Sequence, residues 1–158
     1  MRAVIQRARG ASVNIDSQRV AAFEGRGFVV LLGVEQSDTE ADMLWLVRKV
    51  AAMRIFDDKA GVMNLSLKDI ATATGGEEGN CIIVSQFTLY ASTRKGNRPS
   101  WLRAATHDIA IPLYEAFIGH LTAELGRPVG HGEFGADMQV SLCNDGPVTI
   151  IIDSKMKE

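Results

Sequence analysis

The chain has 158 residues, 46% of them hydrophobic and 23% charged, which suits a folded domain able to bury about two-thirds of its unfolded surface and excludes a disordered chain. Lys and Arg number 17 against 19 Asp and Glu, so a net charge of −2 supplies no global field for nucleic acid, and any polyanion would have to meet a local patch. The longest apolar run, Phe28 to Leu32, is too short to span a membrane, and Arg7 and Arg9 interrupt any leader-like segment. With no export signal expected, Cys81 and Cys143 are read as buried thiols in a reducing cytoplasm.

No repeat or Pro-rich linker divides the sequence, so residues 1–153 read as one domain and 154–158 as a frayed tail. The first third reads as strands. Ala3 to Ala8 and Ser12 to Ile15 alternate around a turn at Gly10, Arg19 to Phe23 follows, and Gly27 to Val34 is continuously apolar, as a strand covered on both faces would be. Ser37-Asp38-Thr39-Glu40 has the form of a capping box, and Met43, Leu46, Val47 and Val50 behind it share one helical face. Arg54 to Phe56 returns to strand character, and Asp57 to Gly61 is a turn. Ala71 to Asn80 reads as a Gly-rich surface loop, and Cys81 to Tyr90 as one long strand that begins apolar and ends polar. A second helix is expected from about Ile109 to Leu125, with Pro112 in its first turn, Gly126 as its stop, and Leu113, Phe117, Leu121 and Leu125 as its buried stripe. Met138 to Cys143 and Val148 to Asp153 read as two strands flanking an Asn144-Asp145-Gly146-Pro147 turn. The sum is an α+β domain whose mostly antiparallel or mixed sheet curls, barrel-like, around two main helices.

Several chemistries have no support in this sequence. His107, His120 and His131 form no metal-ligand spacing with each other or with cysteine, and His120 reads as a surface residue on the second helix. Phosphate-binding, dinucleotide-binding and Gly-x-Ser-x-Gly motifs are missing. Two stretches stand out instead. Ser85, Gln86 and Thr88 end an otherwise apolar strand, where they either complete an internal hydrogen-bond network or face a ligand. Gly146–Pro147 sits in a turn. An ordinary trans turn is one reading. The other is a cis bond, which costs less before proline and would aim two successive carbonyls in one direction. Between these stretches, Arg94, Lys95, Arg98 and Arg103 form a cationic run without an anion, either a solvated loop or a patch for a polyanion.

Ser85-Gln86-Phe87-Thr88-Leu89-Tyr90 and Asn144-Asp145-Gly146-Pro147-Val148-Thr149 together resemble the two signature motifs of the D-aminoacyl-tRNA deacylases. The likeness runs through nearly the whole chain: Met1 to Arg9, Gly27 to Gly33, Arg54 to Asp57, Met63 to Ser66, Lys95 to Ser100, Pro112 to Tyr114 and Phe134 to Met138 fit in the family's order. It departs at Trp101, where Phe is expected, and in an extended Glu77 to Asn80 loop. The resemblance implies a cytoplasmic homodimer that needs no cofactor and hydrolyses the ester joining a D-amino acid to the 3′-terminal adenosine of tRNA, with its site at the dimer interface.

The same resemblance implies that Ser85, Gln86, Phe87 and Thr88 form the catalytic segment, with backbone N–H groups around Phe87 and Thr88 facing the ester carbonyl. Gly146 and Pro147, in cis, would carry two inward carbonyls into the partner's pocket as a chiral filter, beside Met138. Arg7 would orient that motif, although on sequence alone it also reads as a solvent-facing strand residue. Arg94, Lys95, Arg98 and Arg103 would meet the phosphates of the acceptor stem, and neither DNA nor a membrane is an expected partner. A protein nucleophile at Thr88 or Ser85 lacks an evident base, which favours catalysis assisted by the terminal 2′-hydroxyl. A non-catalytic nucleic-acid-binding module is the remaining alternative.

Overall fold

The computed structural model describes residues 1–157. Strands β1 (Arg2–Ile15) and β2 (Gln18–Gly33) form a long antiparallel hairpin. Its reversal is at Asp16 and Ser17, both with positive φ (47° and 65°), the backbone twist that tight hairpins favour. The four short strands expected in this region are therefore two long ones. Gly10 marks a register shift between Arg9 and Ala11 rather than a turn, and such bulges bend a sheet without reversing the chain.

Helix α1 (Glu40–Ala51) follows and buries Met43, Leu46, Val47 and Val50, the expected face. Its capping box begins at Thr39 rather than Ser37: the Asp42 carboxylate accepts from the Thr39 backbone N–H at 3.0 Å and from its hydroxyl at 2.8 Å. Two short strands, β3 (Phe56–Asp57) and β4 (Met63–Leu65), pair with each other. Helix α2 (Leu67–Ala73) takes the beginning of the expected Ala71–Asn80 loop, because Ser66 and Asp69 cap it reciprocally and Leu67 and Ile70 are buried. Strand β5 (Asn80–Ser85) runs parallel to β2 and stops at Ser85, so the expected single strand ends halfway and Phe87–Tyr90 is a 3-10 turn.

Helix α3 (His107–Leu125) ends at Gly126, which is left-handed. It begins two residues earlier than expected, so Pro112 lies inside it, and Tyr114 rather than Leu113 joins Phe117, Leu121 and Leu125 on the buried stripe. Strand β6 (Gly130–His131) and the long β7 (Gln139–Asp153) complete a five-stranded mixed sheet in the order β6-β5-β2-β1-β7. β7 is continuous where two strands and a turn were expected. Gln6 pairs with Thr149 and Ala8 with Asn144, so residues 145–148 bulge out of a strand that does not reverse.

The helices cover one face of the sheet, and their core takes in Ile5, Phe28, Val30, Leu32 and Ile83. On the other face Ala8, Ala11, Val13, Ala21, Phe23, Val29, Ile82 and Val84 form a second cluster, because β1 and β2 curl at their bulges. The apolar 28–32 segment is thus buried on both sides, as its unbroken hydrophobicity predicts. The end of the chain is not frayed up to residue 157. Ser154 is buried, its N–H donates to Met1 O at 2.8 Å, and Lys155 Nζ reaches Asp42 at 2.7 Å. Cys81 is buried, with its thiol pushed up to about 12 by desolvation, but Cys143 is exposed on β7. No helix among the described residues is long and apolar enough to cross a membrane.

Candidate active site

The site begins where β5 leaves the sheet. Gln86 N–H still donates to Leu32 O at 2.8 Å, after which the chain tightens into the 3-10 turn, closed by Leu89 N–H to Gln86 O at 3.2 Å and Ala91 N–H to Thr88 O at 3.0 Å. The N–H groups of Phe87 and Thr88 precede the first of these bonds and have no partner within the turn. Gly33 allows the turn to lie against the end of β2, since a Cβ there would stand 3.1 Å from Gln86 O and 3.2 Å from the Tyr90 ring. The Gln86 side-chain amide donates to the Thr88 hydroxyl.

A brace that the sequence did not reveal holds the turn from below. Arg2 donates to Leu89 O at 2.7 Å and pairs with Asp153 at 2.8 Å. Its guanidinium also lies 4.9 Å from the centre of the buried Tyr90 ring. Arg103 lies 5.4 Å from the same ring and is fixed to Glu35 at 2.6 Å. Burial raises the Tyr90 phenol well above its ordinary value, and the nearby Asp38, Asp153 and Glu35 carboxylates raise it further. Only contacts between residues distant in sequence build this arrangement, and no local pattern signals it.

Ser85, Gln86 and Phe87 open onto a cleft of about 890 Å³ walled by Leu32, Val84, Ala110, Phe134, Met138 and Trp101. Met138 therefore joins the signature segment at one site. So do Trp101 and Phe134. Trp101 packs edge-on against Phe87, with ring centres 5.3 Å apart, and Phe134 packs against His107 and Tyr114. The Tyr114 phenol bonds Ile83 O at 3.0 Å and Gly132 O at 3.2 Å, fixing α3 to the strand that carries Ser85.

Gly146 and Pro147 do not line this cleft in the single chain. They sit exposed in the β7 bulge, and β2 and β1 separate β7 from β5. Their peptide bond is cis, and Gly146 has φ 122°, a conformation L side chains rarely adopt. The bulge is held by Arg7. Its Nε donates to Asp145 O at 3.1 Å and its Nη1 to Ile55 O at 2.7 Å, with the Asp57 and Asp145 carboxylates each at 3.6 Å. Arg7 is thus buried at 7% exposure, and its reading as a solvent-facing strand residue is corrected. Strand alternation was the available signal, because Ala3, Ile5 and Arg7 pair with Leu32, Val30 and Phe28, all in the helix-side core.

The cationic run is divided. Arg94, Lys95 and Arg98 are exposed on a loop closed by paired backbone bonds between Ser92 and Ser100, both 2.9 Å. Arg103 is exposed too, but unlike the other three it pairs with Glu35 and lies over the Tyr90 ring.

The model of the D-Tyr-tRNA(Tyr) deacylase family matches residues 4–153. The chain belongs to this family. Curated relatives agree with that membership. A protein of Flavobacterium psychrophilum named D-aminoacyl-tRNA deacylase is 56% identical over the full length of both chains, and one of Phocaeicola vulgatus with the same name is 52% identical over the same span. Among solved structures, the c-Myc DNA Unwinding Element Binding Protein superposes with a TM-score of 0.84 at 37% identity, covering 97% of this chain and 98% of that one. A probable eukaryotic D-amino acid tRNA deacylase shares the deacylase fold, with a TM-score of 0.78 at 18% identity over 96% of this chain and 97% of that one.

Proposed function

We propose that this deacylase-family protein hydrolyses the ester bond of D-aminoacyl-tRNA, releasing free tRNA and the D-amino acid, and that it works as a cytoplasmic homodimer. One observation supports the reading: Ser85, Gln86 and Phe87 line one cleft, and the backbone N–H groups of Phe87 and of Thr88 next to it have no partner within the turn. Donors fixed in this way stabilise the oxyanion of a tetrahedral intermediate, and one such donor is typically worth about 2.7–4 kcal/mol. Within one chain the Gly146–Pro147 bulge lies away from the cleft, which supports a site completed by the bulge of a second copy.

Chiral selection then works by exclusion. The carbonyls of Gly146 and Pro147 face the α-carbon of the substrate, and an L side chain would collide with them and leave desolvated acceptors unpaired, at about 1–3 kcal/mol each besides the steric cost. Arg7 holds this filter in orientation. Glycine has no side chain to reject, so glycyl-tRNA is also a substrate. The Thr88 hydroxyl accepts from Gln86 and has no basic partner, so it orients rather than attacks. The terminal 2′-hydroxyl assists the attacking water and identifies the substrate as RNA. Arg94, Lys95 and Arg98 meet backbone phosphates without reading sequence.

Incubation with D-tyrosyl-, L-tyrosyl- and glycyl-tRNA tests the reading: ester loss is fast with the first and third and near background with the second. Equal rates for the two tyrosyl enantiomers overturn the filter. Thr88→Ala is expected to keep substantial activity, whereas a 2′-deoxy terminal adenosine loses most of it; a dead Thr88→Ala that still binds substrate reverses that assignment.

The 37%-identical structure named as a DNA-binding protein favours a second reading, a nucleic-acid-binding module without chemistry. Intact D-tyrosyl-tRNA after prolonged incubation would select it.

A further inference from the structure

At the mouth of the cleft two large aromatic rings face water. Phe87 is 52% exposed and Trp101 41%, although both belong to the wall of the cleft. They meet at an interplanar angle of 71°, so together they form a corner with open ring surface. The backbone at Trp101 is braced. Its carbonyl accepts from Ala104 N–H at 2.9 Å, closing a tight turn; Ala105 N–H donates to Val34 O at 3.0 Å; and Gln36 N–H donates to Arg103 O at 3.3 Å. On its other side the Ser92–Ser100 bridge closes the loop that carries Arg94, Lys95 and Arg98. An exposed indole on a braced backbone, between the cleft and a cationic loop, has the composition of a single-strand nucleic-acid platform, in which aromatic faces stack bases and cations follow the backbone.

We propose that Trp101, backed by Phe87, stacks on the unpaired nucleotide immediately preceding the terminal adenosine of the substrate RNA. This inference rests on the deacylase reading, in which the adenosine and its ester occupy the cleft. The unpaired 3′ end of a tRNA must then leave through the mouth, and its next base meets the aromatic corner before its phosphates reach Arg94, Lys95 and Arg98. Stacking is tolerant of base identity because every base offers a π-face. Trp101 acts here as a binding residue for the substrate tail and touches no reacting atom.

Two substrates separate this role from others. D-tyrosyl-tRNA carries the preceding nucleotides, and 3′-O-(D-tyrosyl)adenosine lacks them. Trp101→Ala is expected to lower kcat/KM for the tRNA, through KM, on the order of tenfold more than it lowers kcat/KM for the adenosine ester; Trp101→Phe restores most of that difference. An equal loss on both substrates, or a loss confined to kcat, overturns the platform. In a Trp45→Phe background Trp101 is the remaining indole, so the trinucleotide CCA should quench its fluorescence much more strongly than adenosine alone; equal quenching by both also overturns it. If the parent protein cleaves neither ester, the deacylase reading itself fails, an outcome distinct from every result with the variants.

Discussion

Arg7 shows how much one side chain can be asked to do. Its guanidinium crosses from β1 to the β7 bulge and to Ile55, supplying donors to two backbone carbonyls that no strand partner satisfies. The nearby Asp57 and Asp145 carboxylates compensate its charge, which makes its burial tolerable. Arg7→Ala leaves those carbonyls without donors, and an unsatisfied buried group costs about 1–3 kcal/mol, so a loss of about 2–4 kcal/mol is expected in urea denaturation. Arg7→Lys should recover only part, because an ammonium cannot reproduce the planar fork. An unchanged midpoint for Arg7→Ala would remove the brace from the account.

At the scale of elements, the candidate site depends on how closely β5 lies along β2. Their parallel register runs from Gly27 opposite Asn80 to Leu32 opposite Ser85. Gly27 permits that approach: a Cβ there would stand 2.3 Å from Asn80 O and 2.7 Å from the Phe23 ring. Gly27→Ala must therefore displace backbone rather than a flexible side-chain end. The expected cost is about 1–3 kcal/mol, read as a fall of several degrees in Tm. A Tm equal to that of the parent would mean that the two strands separate without penalty. Helix α1, the stripe of α3 and the apolar 28–32 strand were legible because their burial follows directly from residue period. Helix α2 was not, because seven residues give too few apolar repeats to stand out from a Gly-rich loop.

The whole molecule is closed by a latch between its ends. Lys155 pairs with Asp42 at the start of α1 and also reaches Ser37 O at 3.2 Å, while the Met1 ammonium bonds Asp38 and the Ser154 hydroxyl. Burial works against the Asp42 charge, but hydrogen bonds from Lys155, Thr39 and Ser154 outweigh it and hold this carboxyl well below the usual carboxylate range. With the folded value below the unfolded value of about 3.9, the latch contributes fully above that pH and is lost as pH falls toward the folded value. Arg26 beside Glu78, and Lys155 and Arg2 beside Asp153 against an opposing burial effect, act in the same direction. The stability difference between the parent and Asp42→Asn should thus be largest near neutrality and shrink below about pH 4 in denaturation titrations. A difference that stays constant down to pH 2 would show that Asp42 does not act through its charge.

Sequence alone determined what is written within a few residues of itself: the α+β class, the helical faces, and the two motifs around Ser85 and Gly146 that mark the family. It also marked where the backbone is unusual, at Gly10 and at Asn144 to Pro147, but not whether the chain turns back there. The same alternating pattern on either side of an irregularity fits a hairpin and a bulged continuous strand equally well. Only the partner strand decides, and for both β1 and β7 it selected continuity. Tertiary structure likewise decided that Arg7 is buried, that Arg103 belongs to Glu35 and Tyr90, and that Trp101 stands at the mouth of the cleft. Each of these depends on contacts between residues far apart along the chain, and local periodicity carries no information about such contacts.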